Sequence, residues 1–382
     1  MKMTLLVAAL FCTMNHYGQA VLYGRTTGLL PYLEYGPGDD RLGGAKMTYL
    51  DTNIILKVTD STGDDYKVRL SENHFAFLSK AAFRPDTSIK FQPYFLTASW
   101  KVYGDERHDY VMVGLPEKLP YKSTQQVSPS KLIVDVYGAT SNTNWITQLK
   151  TCREIKNVWQ EQIEDDVFRI HIELVHTQHW GYSIYYKNNT LVIRIKQQPP
   201  LSYKRLTIAV DAGHGGANIG ATGLNTKIPE KEYTLKIAHK LENYLSRKRA
   251  KVYMVRNHDT DLTMIERTLM LREKDPDLMI SIHLNSSSNK TVNGTSTYYR
   301  HIGFRLLSTA ILNELLKLGL NNFGNIGAFN FALSGPTEYP NCLVEVAFLS
   351  NAADEIKIRD ERFQKNVARG ISRGIKTWLK TL

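Results

Sequence analysis

The stretch LTIAVDAGHGG, Leu206 to Gly216, constrains this chain more than any other part of it. Leu206 to Asp211 is a short apolar, β-branched run that reads as a buried strand. It passes directly into a glycine-rich turn carrying His214. Open α/β sheets gather their ligands at the carboxyl ends of strands, so His214 is a candidate site residue. Three further pieces follow: PEKEYTL (Pro229 to Leu235), ISIHLN (Ile280 to Asn285) and LVEVAFLSN (Leu343 to Asn351). They contribute Glu230, His283 and Glu345.

Two histidines and a glutamate make the donor set of an open zinc site, in which three protein ligands leave a fourth position for water. A carboxylate beside such a site can shuttle the water's proton. His214, Glu230 and His283 are therefore read as the ligands of Zn²⁺, and Glu345 as the proton shuttle. Pro229 suits the first position of a helix. From Glu230 onward, Thr234, Ile237, Leu241 and Leu245 recur at helical spacing, so Glu230 opens the inward face. Glu232 lies about 200° round from it, at about 100° per residue, and reads as a solvated charge.

DLMISIHLN (Asp277 to Asn285) is a second buried-strand pattern with its histidine at the carboxyl end. CLVEVAF (Cys342 to Phe348) puts Glu345 inside an apolar strand, where an unpaired carboxylate is costly. Taken singly, each of the four has an ordinary structural explanation. Their common order along matching elements argues for a site. Asp211 and Asn285 are candidates for hydrogen bonds that orient the ligands. Cys342 lies three residues from Glu345, on the opposite strand face, and reads as a small buried hydrophobe. His239, His258 and His301 lack partners at ligand spacing and read as surface residues. The turn is no dinucleotide cradle, since Asn218 stands where that spacing needs glycine.

The same pieces carry a family resemblance. Leu206 to Leu379 resembles the catalytic domain of zinc-dependent N-acetylmuramoyl-L-alanine amidases, through D-x-G-H-G-G, a glutamate opening the first helix, S-I-H-x-N and L-V-E-x-x-F-L-S-N. Carried over position by position, the family's zinc ligands fall on His214, Glu230 and His283, and its catalytic glutamate on Glu345. The resemblance implies hydrolysis of the amide joining N-acetylmuramic acid to L-alanine in peptidoglycan. A zinc peptidase cutting within the stem peptide, and a non-catalytic peptidoglycan-binding protein, remain as alternatives. Some members insert a long helical segment over the zinc; the text between Asn285 and Thr297 leaves no room for one.

Composition sets the surroundings. The 382 residues suffice for two or three domains. Met1 to Ala20 opens with Lys2, continues with an apolar run too short to span a bilayer and ends in a small residue, which reads as a signal peptide. That implies export across the inner membrane to a periplasmic or wall-associated location, without stable membrane insertion. A formal charge of +11 suits an acidic polymer partner. Export redirects that inference from nucleic acid to peptidoglycan or another anionic surface. An activating or division-machinery partner has no signature that names it. Cys152 and Cys342 fall in different expected domains, so no disulfide between them is expected.

The first half reads as β-rich. Residues 44–84 hold short strands broken by turn signals and resemble a small Src-homology-3-like barrel. Residues 85–197 carry period-two runs at Lys131–Thr140, Asp166–Leu174 and Thr190–Gln197, and resemble the AMIN-type β-sandwich found ahead of many such amidases. Its implied role is to hold the enzyme on peptidoglycan. Residues 198–204 contain a Pro-Pro pair and read as a semi-rigid linker. Residues 205–382 form the expected catalytic domain, a mixed α/β sheet flanked by helices. On this division, a chain starting near Ser202 should cleave soluble fragments about as well as the whole chain, but bind intact wall less well.

Overall fold

The computed structural model describes residues 22–38, 43–90 and 92–382. The expected leader at 1–20 lies outside the described residues. None of the described helices is long and apolar enough to cross a membrane.

The first half is built from strands. Leu22–Thr26, Tyr32–Glu34, Lys46–Tyr49, Ile55–Thr62, Asp65–Arg69, Phe75–Ser79 and Phe83–Pro85 form one seven-stranded antiparallel sheet. This sheet takes in two strands that precede residue 44. Ser130–Tyr137, Val167–Leu174 and Thr190–Lys196 realise the three period-two runs, with buried and half-buried residues alternating along the first two. They belong to a four-stranded and a five-stranded sheet, which meet through an edge-to-face contact between Trp100 and Phe168. Leu33, Leu56, Val68 and Leu78 of the first sheet share a single apolar core with Val111, Phe168, Ile170 and Ile193 of the other two. The β-rich half therefore packs as one body.

In the second half, β1 (Thr207–Ala212), β2 (Lys251–Met254), β3 (Leu278–Asn285), β4 (Thr295–Tyr298), β5 (Asn322–Ile326) and β6 (Asn341–Phe348) make a mixed sheet. Its order is β2-β1-β3-β6-β4-β5, and only the β4–β6 pairing is antiparallel. Helices α1 (Glu230–Arg247), α2 (Met264–Lys274), α3 (Arg305–Leu316), α4 (Ala352–Arg359) and α5 (Glu361–Thr381) accompany it. Ile208, Val210, Ile280, Ile282, Val344 and Val346 are buried against the apolar stripes of α1, α3 and α5. Along α1 that stripe is Ile237, Leu241 and Leu245.

Some local expectations are corrected. Pro229 precedes α1 with an extended backbone instead of opening the helix, because it bridges to Thr222. β5 and α4 were not anticipated: NFGNI is polar and glycine-broken, and AADEIKIR has no clear apolar face.

The two halves are joined tightly. Trp180, from the β-rich half, belongs to the core of the second half and packs on Trp378 with ring centroids 5.1 Å apart. Trp378 also donates its indole N–H to Gln178 at 3.0 Å. Buried Lys196 pairs with Asp275 at 2.8 Å and donates to the Pro276 carbonyl. Tyr182 and Thr337 exchange hydrogen bonds, and Gly303 donates to Gln125. Asp275, Pro276 and Thr337 precede β3 and β6, and Gly303 follows antiparallel β4. All lie at one end of the sheet, the amino ends of its parallel strands.

Candidate metal centre

The site forms at the opposite end. In the β1–β3 register Ala212 stands beside Ile282, which brings the turn after β1 next to His283. In the β3–β6 register His283 stands beside Glu345, and paired positions on adjacent strands point to the same face. The loop 215–229 returns across this end, so that α1 begins with Glu230 under both histidines. Three strands and one helix terminus thus converge on one place.

His214, Glu230 and His283 offer ligand atoms that all lie within 4.8 Å of one another. His214 Nε2 is 3.1 Å from Glu230 Oε2, and His283 Nδ1 is 3.1 Å from Glu230 Oε1. The imidazoles stand edge to face with centroids 4.9 Å apart. Glu230 is buried, and its carboxylate accepts backbone N–H bonds from Ala221 at 2.8 Å and Leu284 at 2.9 Å. Burial alone would raise its carboxyl pKa, but the two facing imidazoles outweigh it and hold the group well below the usual carboxylate range. For His283, burial opposes the charged form while Glu230 favours it, and the net direction is upward. The His214 and His283 side chains keep 18% and 20% exposure, so solvent and substrate can reach them.

The turn that presents His214 is strained and heavily supported. His214 has φ = 62°, a left-handed conformation uncommon for a residue with a side chain. Two buried arginines hold it. Arg267 pairs with Asp211 at 2.5 Å and donates to the Ala212 and His214 carbonyls. Arg256 donates to the carbonyls of Ala212, Gly213 and Lys231. A side chain at Gly213 would strike the His283 ring, and one at Gly220 would strike Glu230 and His214. These glycines let the two histidines and the carboxylate approach.

The orienting groups differ from those proposed on sequence. Asp211 accepts hydrogen bonds from Arg267 and Ser281, so it braces the turn, and it reaches His283 only electrostatically. Asn285 accepts from the Ser286 N–H instead. The group on a ligand is Asn218, whose Oδ1 accepts from His214 Nδ1 at 2.9 Å, leaving Nε2 as the atom with a free lone pair in the neutral ring. Asn218, Arg256 and Arg267 escaped the sequence reading because they carry no motif of their own. Glu345 is 7% exposed on β6 and acts electrostatically on His283. Cys342 is buried, which pushes its thiol pKa far up. Cys152 and Cys342 are both free. His258 is exposed and His239 partly so, but His301 is half-buried, with Nε2 2.9 Å from the Gly335 carbonyl. Between Asn285 and Thr295 the chain makes only turns.

Fold and site together define a class: a mixed α/β domain with a His-Glu-His centre at the carboxyl ends of its strands and a glutamate on the neighbouring strand. Residues 208–377 match the N-acetylmuramoyl-L-alanine amidase family profile. The match marks this segment as a domain of that family and takes in under half of the chain. It is similar to the probable cell wall amidase LytH of Staphylococcus aureus, 32% identical over 185 residues, which cover 48% of this chain and 61% of LytH. The chain thus matches about three-fifths of that relative's length. Among solved structures, the catalytic domain of CwlV, an N-acetylmuramoyl-L-alanine amidase from Bacillus (Paenibacillus) polymyxa var. colistinus, is 33% identical, with a TM-score of 0.43 over 46% of this chain and 99% of its own. The CwlD amidase from Clostridioides difficile, solved in complex with the GerS lipoprotein, is 27% identical, with a TM-score of 0.44 over 47% of this chain and 100% of its own.

Proposed function

We propose that this chain is a zinc-dependent hydrolase of the amide between N-acetylmuramic acid and L-alanine in peptidoglycan. The observation that carries the reading is the convergence of His214, Glu230 and His283 within 4.8 Å, with Glu345 at the register position beside His283. Two imidazoles and one carboxylate suit zinc as a donor set and leave a position open. When bound, zinc supplies Lewis acidity to a water and to the scissile carbonyl. His214, Glu230 and His283 hold the metal, and Asn218 fixes the tautomer of His214. Glu345 takes the proton of the attacking water and returns it to the departing amine. Its buried position on β6 keeps that carboxylate beside the site and away from bulk water.

The β-rich half is assigned the remaining roles. Residues 44–84, with the earlier strands that join their sheet, form the barrel-like module. Residues 85–197 form the AMIN-like sandwich, a reading supported by its packed four- and five-stranded sheets. Residues 198–204 link it to the amidase domain at 205–382. The leader-like text at 1–20 supports export to the periplasm or wall.

Mass spectrometry of digested sacculi tests the reaction. Release of intact stem peptides from free glycan is expected. Shortened stems would transfer the chain to the zinc peptidases, and unchanged wall would make it a binding protein.

A further inference from the structure

A cleft of about 690 Å³ opens where the two halves meet, at the end of the sheet away from the metal centre. The β-rich half lends it Arg107 and Arg153, and the amidase domain lends it Arg205 and Lys251. Lys251 pairs with Thr207 at the very start of β1 and β2. The linker segment from Gln197 to Leu201 runs between the two walls.

The charges within the cleft are unevenly used. Glu154 is buried and engages His176 Nδ1 at 2.7 Å. Asp277 accepts from the Thr207 N–H at 2.7 Å, and Lys196 is taken up by Asp275. Of these contacts the Lys196–Asp275 pair joins the halves, and the other two brace one wall each. Arg107, Arg153, Arg205 and Lys251 are all exposed and form no ion pair among the described residues. Four uncommitted cations therefore face a single uncommitted acid, Glu106. Such a field selects an anionic group, and the acids sharing the walls favour a singly charged carboxylate over a doubly charged phosphate.

We propose that this cleft is a second polymer-holding site, which binds the carboxylates of uncut stem peptides while the metal end engages another stretch of the same wall. The proposal rests on the peptidoglycan reading above. Geometry separates the two sites: β1 and the turn to His214 span about 20 Å at a strand's rise. A polymer can occupy both ends at once, and a single soluble muropeptide cannot.

The test replaces Arg107, Arg153, Arg205 and Lys251 together by Gln in the full chain. Binding to purified sacculi is measured in a Glu345→Gln background, so that the wall is not consumed. Affinity should fall about tenfold or more, the scale of four lost exposed ion contacts. In the catalytically intact pair, hydrolysis of soluble single-stem muropeptides should stay within about twofold. A control chain with Gln at Arg362, Lys365, Arg369 and Lys376, on the exposed face of α5, should keep its sacculus affinity. Sacculi whose carboxyl groups have been amidated should bind the parent as weakly as native sacculi bind the cleft variant.

Unchanged binding by the cleft variant would overturn the proposal. So would an equal loss in the α5 control, which would mean general charge and no site. Retained binding of amidated sacculi, with competition by inorganic phosphate at matched ionic strength, would assign the cleft to phosphate instead. A chain that binds through the cleft but cuts nothing would leave this site standing and refute the amidase reading.

Discussion

His214, Glu230 and His283 differ from Glu345 in the work assigned to them, and single substitutions should separate the two. A chelator should abolish hydrolysis and added Zn²⁺ restore it; full turnover by metal-free protein would end the zinc reading. Glu345→Gln should keep stoichiometric zinc and lose at least about a hundredfold in turnover, the scale of general acid–base catalysis. His283→Ala should lose the metal itself. Metal analysis of the two variants decides, and an empty site in Glu345→Gln would erase the division between ligand and shuttle. Asn218→Ala should weaken zinc affinity about tenfold or more through the freed tautomer of His214, read by chelator competition.

At the level of elements, strand register explains why residues far apart in sequence meet. Ala212 beside Ile282 brings the turn that carries His214 next to His283, and His283 stands beside Glu345 across β3 and β6. The close approach depends on glycine. Gly213→Ala should displace the His283 ring and cut zinc affinity at least as much as Asn218→Ala, with the fold retained by circular dichroism. Wild-type zinc affinity in that variant would show that the turn has slack. The long elements were legible in the sequence because their apolar periodicity is strong: β1, β3, β6, α1 and α5 fall within a few residues of expectation. β5 and α4 were not. An edge strand of NFGNI and an eight-residue charged helix draw their stability from neighbours, not from pattern.

For the whole molecule, the junction changes what a truncated chain can do. The Pro-Pro stretch suggests a spacer, yet Trp180 and Gln178, upstream of it, bury Trp378 of α5. A chain starting at Ser202 would expose that tryptophan and the amino end of the sheet. It should unfold at clearly lower urea than the full chain, so a loss of soluble-substrate activity in it would report instability before any targeting role. Trp180→Ala in the full chain should cost about 3–5 kcal/mol of stability, the usual range for a buried aromatic, in equilibrium denaturation. A change below about 1 kcal/mol would mean that the junction is loose. Because the β-rich half docks at the amino ends of the parallel strands, its described residues lie away from the metal end.

The four residues of the candidate site could be read from the sequence. His214, Glu230, His283 and Glu345 were legible because each sits at a strand end, a helix start or a buried strand, places where local pattern is strongest. The β character of the first half was legible for the same reason. Contacts between distant segments were not legible in the same way. Arg256 and Arg267 clamp the His214 turn, Asn218 orients its ring, Trp180 joins the second core, and four cations from two halves line one cleft. An arginine or asparagine has no periodicity of its own, and its partner is set by packing. Spacing along the chain cannot reveal it.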